Sequence, residues 1–110
     1  VHNTGEIWAN VLWEAYAGFL QDGRYTFKQA RSKVQDYIIA GLKMTPNAPT
    51  MLEARDAILS VADATDDADF MIWATAFAKR GMGVGAVGPD RSSTDNVGVT
   101  ESYVVATPTP

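Results

Sequence analysis

The sequence contains no cysteine, which excludes disulfides, thiol catalysis and thiolate metal sites within it. It does not fix the compartment. No run of 18 apolar residues occurs, so no membrane span is expected. No leader pattern is present either. The chain opens at Val1 and runs straight into a helical pattern. We read it as a piece of a longer protein whose targeting signal would lie upstream. An excess of positive charge is also missing. Nine Lys and Arg stand against 13 Asp and Glu, a net charge of -4. An acidic surface repels phosphate backbones, so nucleic acid is not an expected partner.

What is present reads as globular. Hydrophobic residues make up 46% and charged residues 20%, enough for a core of its own in one 110-residue domain. Apolar spacing predicts four helices and an all-α bundle. The first covers about Thr4 to Asp22, with Ile7, Trp8, Val11, Leu12, Ala15, Tyr16 and Phe19 on its stripe and Asn3 with Glu6 at capping-box spacing. The second runs from about Phe27 to Lys43, with a Thr26–Gln29 capping box and Phe27, Ala30, Val34, Ile38 and Leu42 facing inward. The third runs from Met51 to Ala64 behind a Thr50–Glu53 box, and the fourth from Asp67 to Arg80. Residues 1–86 form the helical unit. Residues 87–110 form an irregular Gly-, Ser- and Pro-rich tail and the start of a linker, with a short strand possible over Val97–Val105.

Several patterns invite a sharper reading and lose to a plainer one. Gly83, Gly85 and Gly88 spell G-x-G-x-x-G, but the string follows a helix and precedes a loop, where the dinucleotide motif must follow a strand and open a helix. Asp63, Asp66, Asp67 and Asp69 lack the EF-hand ligand order and read as a solvated helix start. Glu6 fits a first-turn structural role better than a metal ligand. Trp8, Trp73, Phe70 and Phe77 read as core. Trp13 lies off the main stripe and is the candidate to face another part of the protein. Arg55 and Asp56 read as a structural pair or a contact with another helix. By itself His2 is a lone histidine near a terminus, incidental by default.

Three segments in order change that. The run Val1-His2-Asn3-Thr4-Gly5-Glu6-Ile7-Trp8-Ala9, continuing to Leu12-Trp13-Glu14, is similar to the "VHxxGExWA" run of the fungalysin metallopeptidases. Gly41-Leu42-Lys43-Met44 with Pro46, Pro49-Thr50 and Ala54-Arg55-Asp56-Ala57-Ile58-Leu59 resemble the same family. So do Ile72-Trp73 and Ala76-Phe77-Ala78-Lys79-Arg80-Gly81-Met82-Gly83. The resemblance implies a bundle like the C-terminal domain of thermolysin-like peptidases. It implies a secreted, extracellular zinc endopeptidase made with a pro-segment and acting on proteins or peptides. In that family two histidines of HExxH and a downstream Glu hold zinc, and the Glu of HExxH is the general base. This sequence has one His and no HExxH. The metal ligands are therefore expected in an N-terminal catalytic half, which is the implied partner, and the chain alone is expected to be inactive. The resemblance gives His2 one role, donating a hydrogen bond to the oxyanion of the tetrahedral intermediate. The rival reading is a non-catalytic helical binding or structural module of the same descent. An apolar patch on the first helix is expected, through which two copies could dimerise.

Overall fold

A computed structural model describes the backbone of residues 2–110 and the side chains of residues 3–110. Four helices follow in order: α1 (His2–Gln21), α2 (Phe27–Met44), α3 (Met51–Asp63) and α4 (Asp67–Lys79). The all-α bundle expected from periodicity is the architecture found. Helix α1 packs on α2, α2 on α3, α3 on α4, and α4 back on α1, closing a ring. Among the described residues no helix is long and apolar enough to cross a membrane.

Local chemistry sets the helix starts. Thr26 is extended, its Oγ1 accepts from the Gln29 N–H, and Gln29 Oε1 accepts from the Thr26 N–H. Thr50 and Glu53 repeat the arrangement at α3. Each box satisfies two donors that a helix start leaves open and contributes about 1 kcal/mol. Asp66 caps α4 by accepting from the Asp69 N–H at 2.8 Å. Helix α1 departs from expectation. It begins at His2, so Asn3 is already helical, and an Asn3–Glu6 box does not open it. An N-cap must be non-helical, and the residue before His2 lies outside the described set.

The core gathers Val11, Ala15 and Phe19 of α1, Ala30, Val34 and Tyr37 of α2, Ile58 and Ala62 of α3, and Phe70, Trp73 and Phe77 of α4. Helix α4 is buried on most of its surface and runs through the middle. Its Trp73 is fully buried and lies against Phe77, Phe19 and Tyr37, with ring centroids 5.8–6.0 Å apart. Such aromatic contacts add to the area term. Three residues expected on inward stripes lie outside: Ile7 is 57%, Phe27 65% and Leu42 67% exposed. Each sits at a helix end, where the ring of helices does not close over it.

Beyond α4 the chain has no extended strand. Residues 81–84 and 102–104 are joined through a Met82–Ser102 bridge, with Gly83 N–H donating to Ser102 O and Val84 N–H to Val104 O. Val87 and Thr100 exchange a second pair of bonds. The strand expected over Val97–Val105 is thus reduced to these two isolated bridges. Gly81 turns the chain with φ +83°, a backbone state that favours glycine. Arg55 of α3 donates to Met82 O at 2.9 Å and Gly83 O at 3.1 Å. Its pairing with Asp56 agrees with the structural reading. Its second contact is the turn after α4 and not another helix.

Candidate functional site

The first two turns of α1 border a cleft of about 960 Å³. Gly5, Ile7, Trp8 and Leu12 line it from α1, Ile38 and Leu42 from α2, Leu52 and Ile58 from α3, and Val87, Val99 and Thr100 from the tail. Trp8 fixes this end of α1 by stacking on Phe77 of α4, centroids 6.0 Å apart and planes 25° from parallel. Gly41 lets α2 close on α3 beside the cleft: a Cβ there would meet Ile58 Cγ1 at 2.7 Å. The volume is in the range of small-molecule and peptide sites, and the lining is apolar as such sites are.

One rim carries charge. Arg91 of the tail donates to Glu53 Oε1 at 2.6 Å and to the Ala48 carbonyl. Glu53 at the same time accepts from the Thr50 N–H in the α3 capping box. The Arg91 guanidinium, with the Thr50 N–H second, holds the Glu53 carboxyl down at about 2. One carboxylate therefore caps α3 and clips the tail across the cleft. Spacing identified the capping half of this arrangement. The Arg91 half depends on a loop path that no period encodes.

His2 is the first residue of α1, not a residue ahead of it. Its side chain lies outside the described residues. Glu6 is exposed on the first turns, and its carbonyl accepts from Asn10 Nδ2 at 3.0 Å. Among the described residues no group of three or more His, Cys, Asp or Glu side chains stands close enough to hold a metal ion.

At the other end of α1 lies a feature that sequence reasoning missed. Asp69 is fully buried. Its Oδ1 accepts from Tyr25 Oη at 2.8 Å and from the Arg24 guanidinium at 2.7 Å, and its Oδ2 accepts from Tyr37 Oη at 2.6 Å. Lys33 Nζ stands at 4.0 Å. The aspartates at the start of α4 are therefore not all solvated. Asp69 lies four residues before Trp73 and eight before Phe77, on the same helical face. That phase was the available signal. Burial, then the bond to Asp69, raises the Tyr25 phenol to about 12, and the same causes push Tyr37 higher still. Asp63 is also engaged, accepting from the Thr109 N–H and hydroxyl, each at 2.7 Å.

Residues 1–86 match the sequence model of the fungalysin metallopeptidases (M36). The chain belongs to the fungalysin family. The match takes in the Val1–Ala9 run, all four helices and the turn that follows them. Among the curated relatives it matches, the extracellular metalloproteinase mep of Aspergillus fumigatus is 34% identical over 92% of this chain and 17% of its own length. The extracellular metalloproteinase mep of Aspergillus flavus is 37% identical over 86% of this chain and 18% of its own. Extracellular metalloproteinase 3 of Arthroderma otae is 33% identical over 86% and 17%. The chain thus spans about a sixth of the length of the curated relatives it matches.

Proposed function

We propose that this chain is one wall of the substrate cleft of a secreted zinc endopeptidase and supplies His2 as a hydrogen-bond donor to the transition state. The observation that carries the reading is a juxtaposition. His2 opens the helix whose next two turns border the apolar cleft, in a chain of a metallopeptidase family. An imidazole N–H aimed at the oxyanion acts on charge that exists only in the tetrahedral intermediate, so it lowers the barrier without tightening ground-state binding. Such a donor is worth about 10²- to 10³-fold in rate. The Trp8–Phe77 stack keeps the first turns of α1 fixed on α4, and a rigid helix end places a donor better than a loop does. The apolar lining takes up substrate side chains and excludes water.

The described residues do not assemble a zinc site. There is one histidine and no cysteine, and no acidic cluster among the described residues replaces them. The metal ligands and the general base belong to polypeptide outside these residues, the catalytic half that is the partner of this wall. The chain alone is inactive on this reading. The extracellular relatives support export.

Two assays test the proposal. The whole polypeptide, loaded with zinc, hydrolyses casein and loses that activity to a chelator, while residues 1–110 alone do not cleave it under the same conditions. Whole polypeptide that stays inert with zinc, or whose reading frame carries no HExxH, overturns the peptidase reading in favour of a binding module.

A further inference from the structure

The loop that follows α4 supplies one wall of the apolar cleft. Val87, Pro89, Ser93 and Val99 line it together with Ile7 of α1 and Leu52 of α3. The two legs of the loop meet at Val87 and Thr100, which exchange backbone bonds of 2.9 Å in both directions. Residues 88–99 are thus a surface loop with a closed neck. The loop is bonded to itself. Asp90 accepts from the Ser92 and Ser93 N–H groups, Ser93 Oγ accepts from the Asn96 N–H and donates to Asp95, and Asp95 accepts from the Val97 N–H. Among the described residues, the only side chain that bonds this loop to the helical body is Arg91, which holds Glu53 and the Ala48 carbonyl. No residue from 86 to 100 is buried. Few buried contacts and a single latch mark a segment of low local stability. Each leg carries a glycine in the left-handed region, Gly85 at φ +85° and Gly98 at φ +83°, with nothing within 4 Å of where a Cβ would stand. Below them the chain is anchored. Gly83 and Val84 donate to Ser102 O and Val104 O, and Arg55 of α3 holds the Met82 and Gly83 carbonyls.

We propose that residues 87–97 are a lid on the cleft, hinged at Gly85 and Gly98 and latched by Arg91, which swings as one body to admit peptide substrate. An unhindered glycine absorbs a change of φ and ψ that a side chain would resist. The bonds from Asp90 to Val97 keep the lid's shape while it moves. The hinge positions decide which bonds break. Val87 lies beyond Gly85 and travels with the lid. Thr100 lies beyond Gly98 and stays with the anchored leg. Opening therefore parts Val87 from Thr100 and Arg91 from Glu53, and leaves the internal bonds intact. The latch is suited to release. The Arg91 and Glu53 side chains are 49% and 35% exposed, and water replaces such a pair at little cost. The identity of what enters rests on the reading of this cleft as a substrate wall. The hinges and the latch do not depend on it.

Hydrogen exchange of the whole polypeptide, wild type against Arg91→Gln, tests the lid. The Val87 and Thr100 amides are expected to exchange about 5- to 30-fold faster in the variant, the effect of losing one clip. The Ser93, Asn96, Gly83 and Val84 amides and the helices should change by less than about twofold. Ser93 and Asn96 accelerating together with Val87 would mean that the loop frays and does not swing. No acceleration at Val87 would mean that Arg91 is not its latch. Either result overturns the proposal. A staple tests the gate. A Cβ on Gly88 would stand 3.5 Å from Leu52 Cδ1, and these residues contain no cysteine, so Gly88→Cys with Leu52→Cys can lock the lid shut. The oxidised pair should hydrolyse casein at least about fivefold more slowly than the same protein after reduction, with the wild type unaffected by the reductant. Equal rates in the two states would show that substrate does not pass the lid, and would overturn the proposal. A protein inert in both states would overturn the proposed function instead, and the exchange pattern would still decide the lid.

Discussion

Replacing Asp69 by Ala should remove a large part of the stability of the bundle. The carboxylate is fully buried and holds three donors from two other parts of the chain. Tyr37 is 3% exposed, so its orphaned hydroxyl would cost about 1–3 kcal/mol. Tyr25 is partly exposed and would regain some water, adding about 1 kcal/mol. The Arg24 side chain is 36% exposed, and solvent screening limits its share to about 1 kcal/mol or less. The sum, about 2–5 kcal/mol, reaches the usual cost of breaking a buried charge pair by deleting one partner. For a domain of this size that corresponds to a fall in Tm of roughly 8–20 °C. Far-ultraviolet circular dichroism during heating and urea titration would measure it. Tyr37→Phe keeps the carboxylate and should cost only about 1–2 kcal/mol. Asp67→Ala removes an exposed acid from the same first turn and should cost less than about 1 kcal/mol. An Asp69→Ala protein melting within about 4 °C of wild type, a shift worth ~1 kcal/mol or less, would refute the argument that this carboxylate pins the α1–α2 loop and α2 to α4.

The same cluster predicts alkaline behaviour. The Tyr25 phenol is raised from its ordinary 10 to about 12, so its stabilisation is complete below pH 10, where unfolded and folded chains both keep the proton. It is lost as pH rises through about 12. The phenolate absorbance of Tyr25, read as the difference from a Tyr25→Phe protein, should appear together with unfolding, and Tyr25 titrating near 10 in folded protein would contradict this. At the acid end, Glu53 is lowered from 4.5 to about 2. The clip to Arg91 is intact above 4.5 and is lost as pH falls to about 2. Hydrogen exchange should show the Val87 and Thr100 amides losing protection in that window before the helices open, and unchanged protection at the acid end would count against the clip. Gly41→Ala sets two effects against each other. Helix propensity favours Ala by about 1 kcal/mol, while the contact with Ile58 at 2.7 Å makes overpacking worth about 1–3 kcal/mol. A lower Tm is expected, and a higher one would mean that α3 yields easily.

The elements that could be read from sequence are those decided within a few residues. Thr26 with Gln29 and Thr50 with Glu53 form their caps from side chains three positions apart, so spacing alone located two helix starts. The core stripe through Val11, Ala15 and Phe19 follows from period. Features that depend on distant partners were not readable. Asp69 is buried because Tyr25 and Tyr37 arrive from 44 and 32 residues away to satisfy it. Exposure of Phe27 and Leu42 reflects where the ring of helices stops, which their own period cannot report. Arg91 reaches Glu53 across a loop without repeat. For the candidate site, the motif around His2 was visible as a string, whereas the cleft beside it is assembled from all three neighbouring segments.

The most direct test is steady-state kinetics of the whole zinc-loaded polypeptide carrying His2→Ala. Support of the oxyanion predicts a kcat lower by about 10²- to 10³-fold with KM nearly unchanged, because the lost bond exists only in the transition state. An unaltered kcat, or a loss confined to KM, would show that His2 does not serve the reaction in this way.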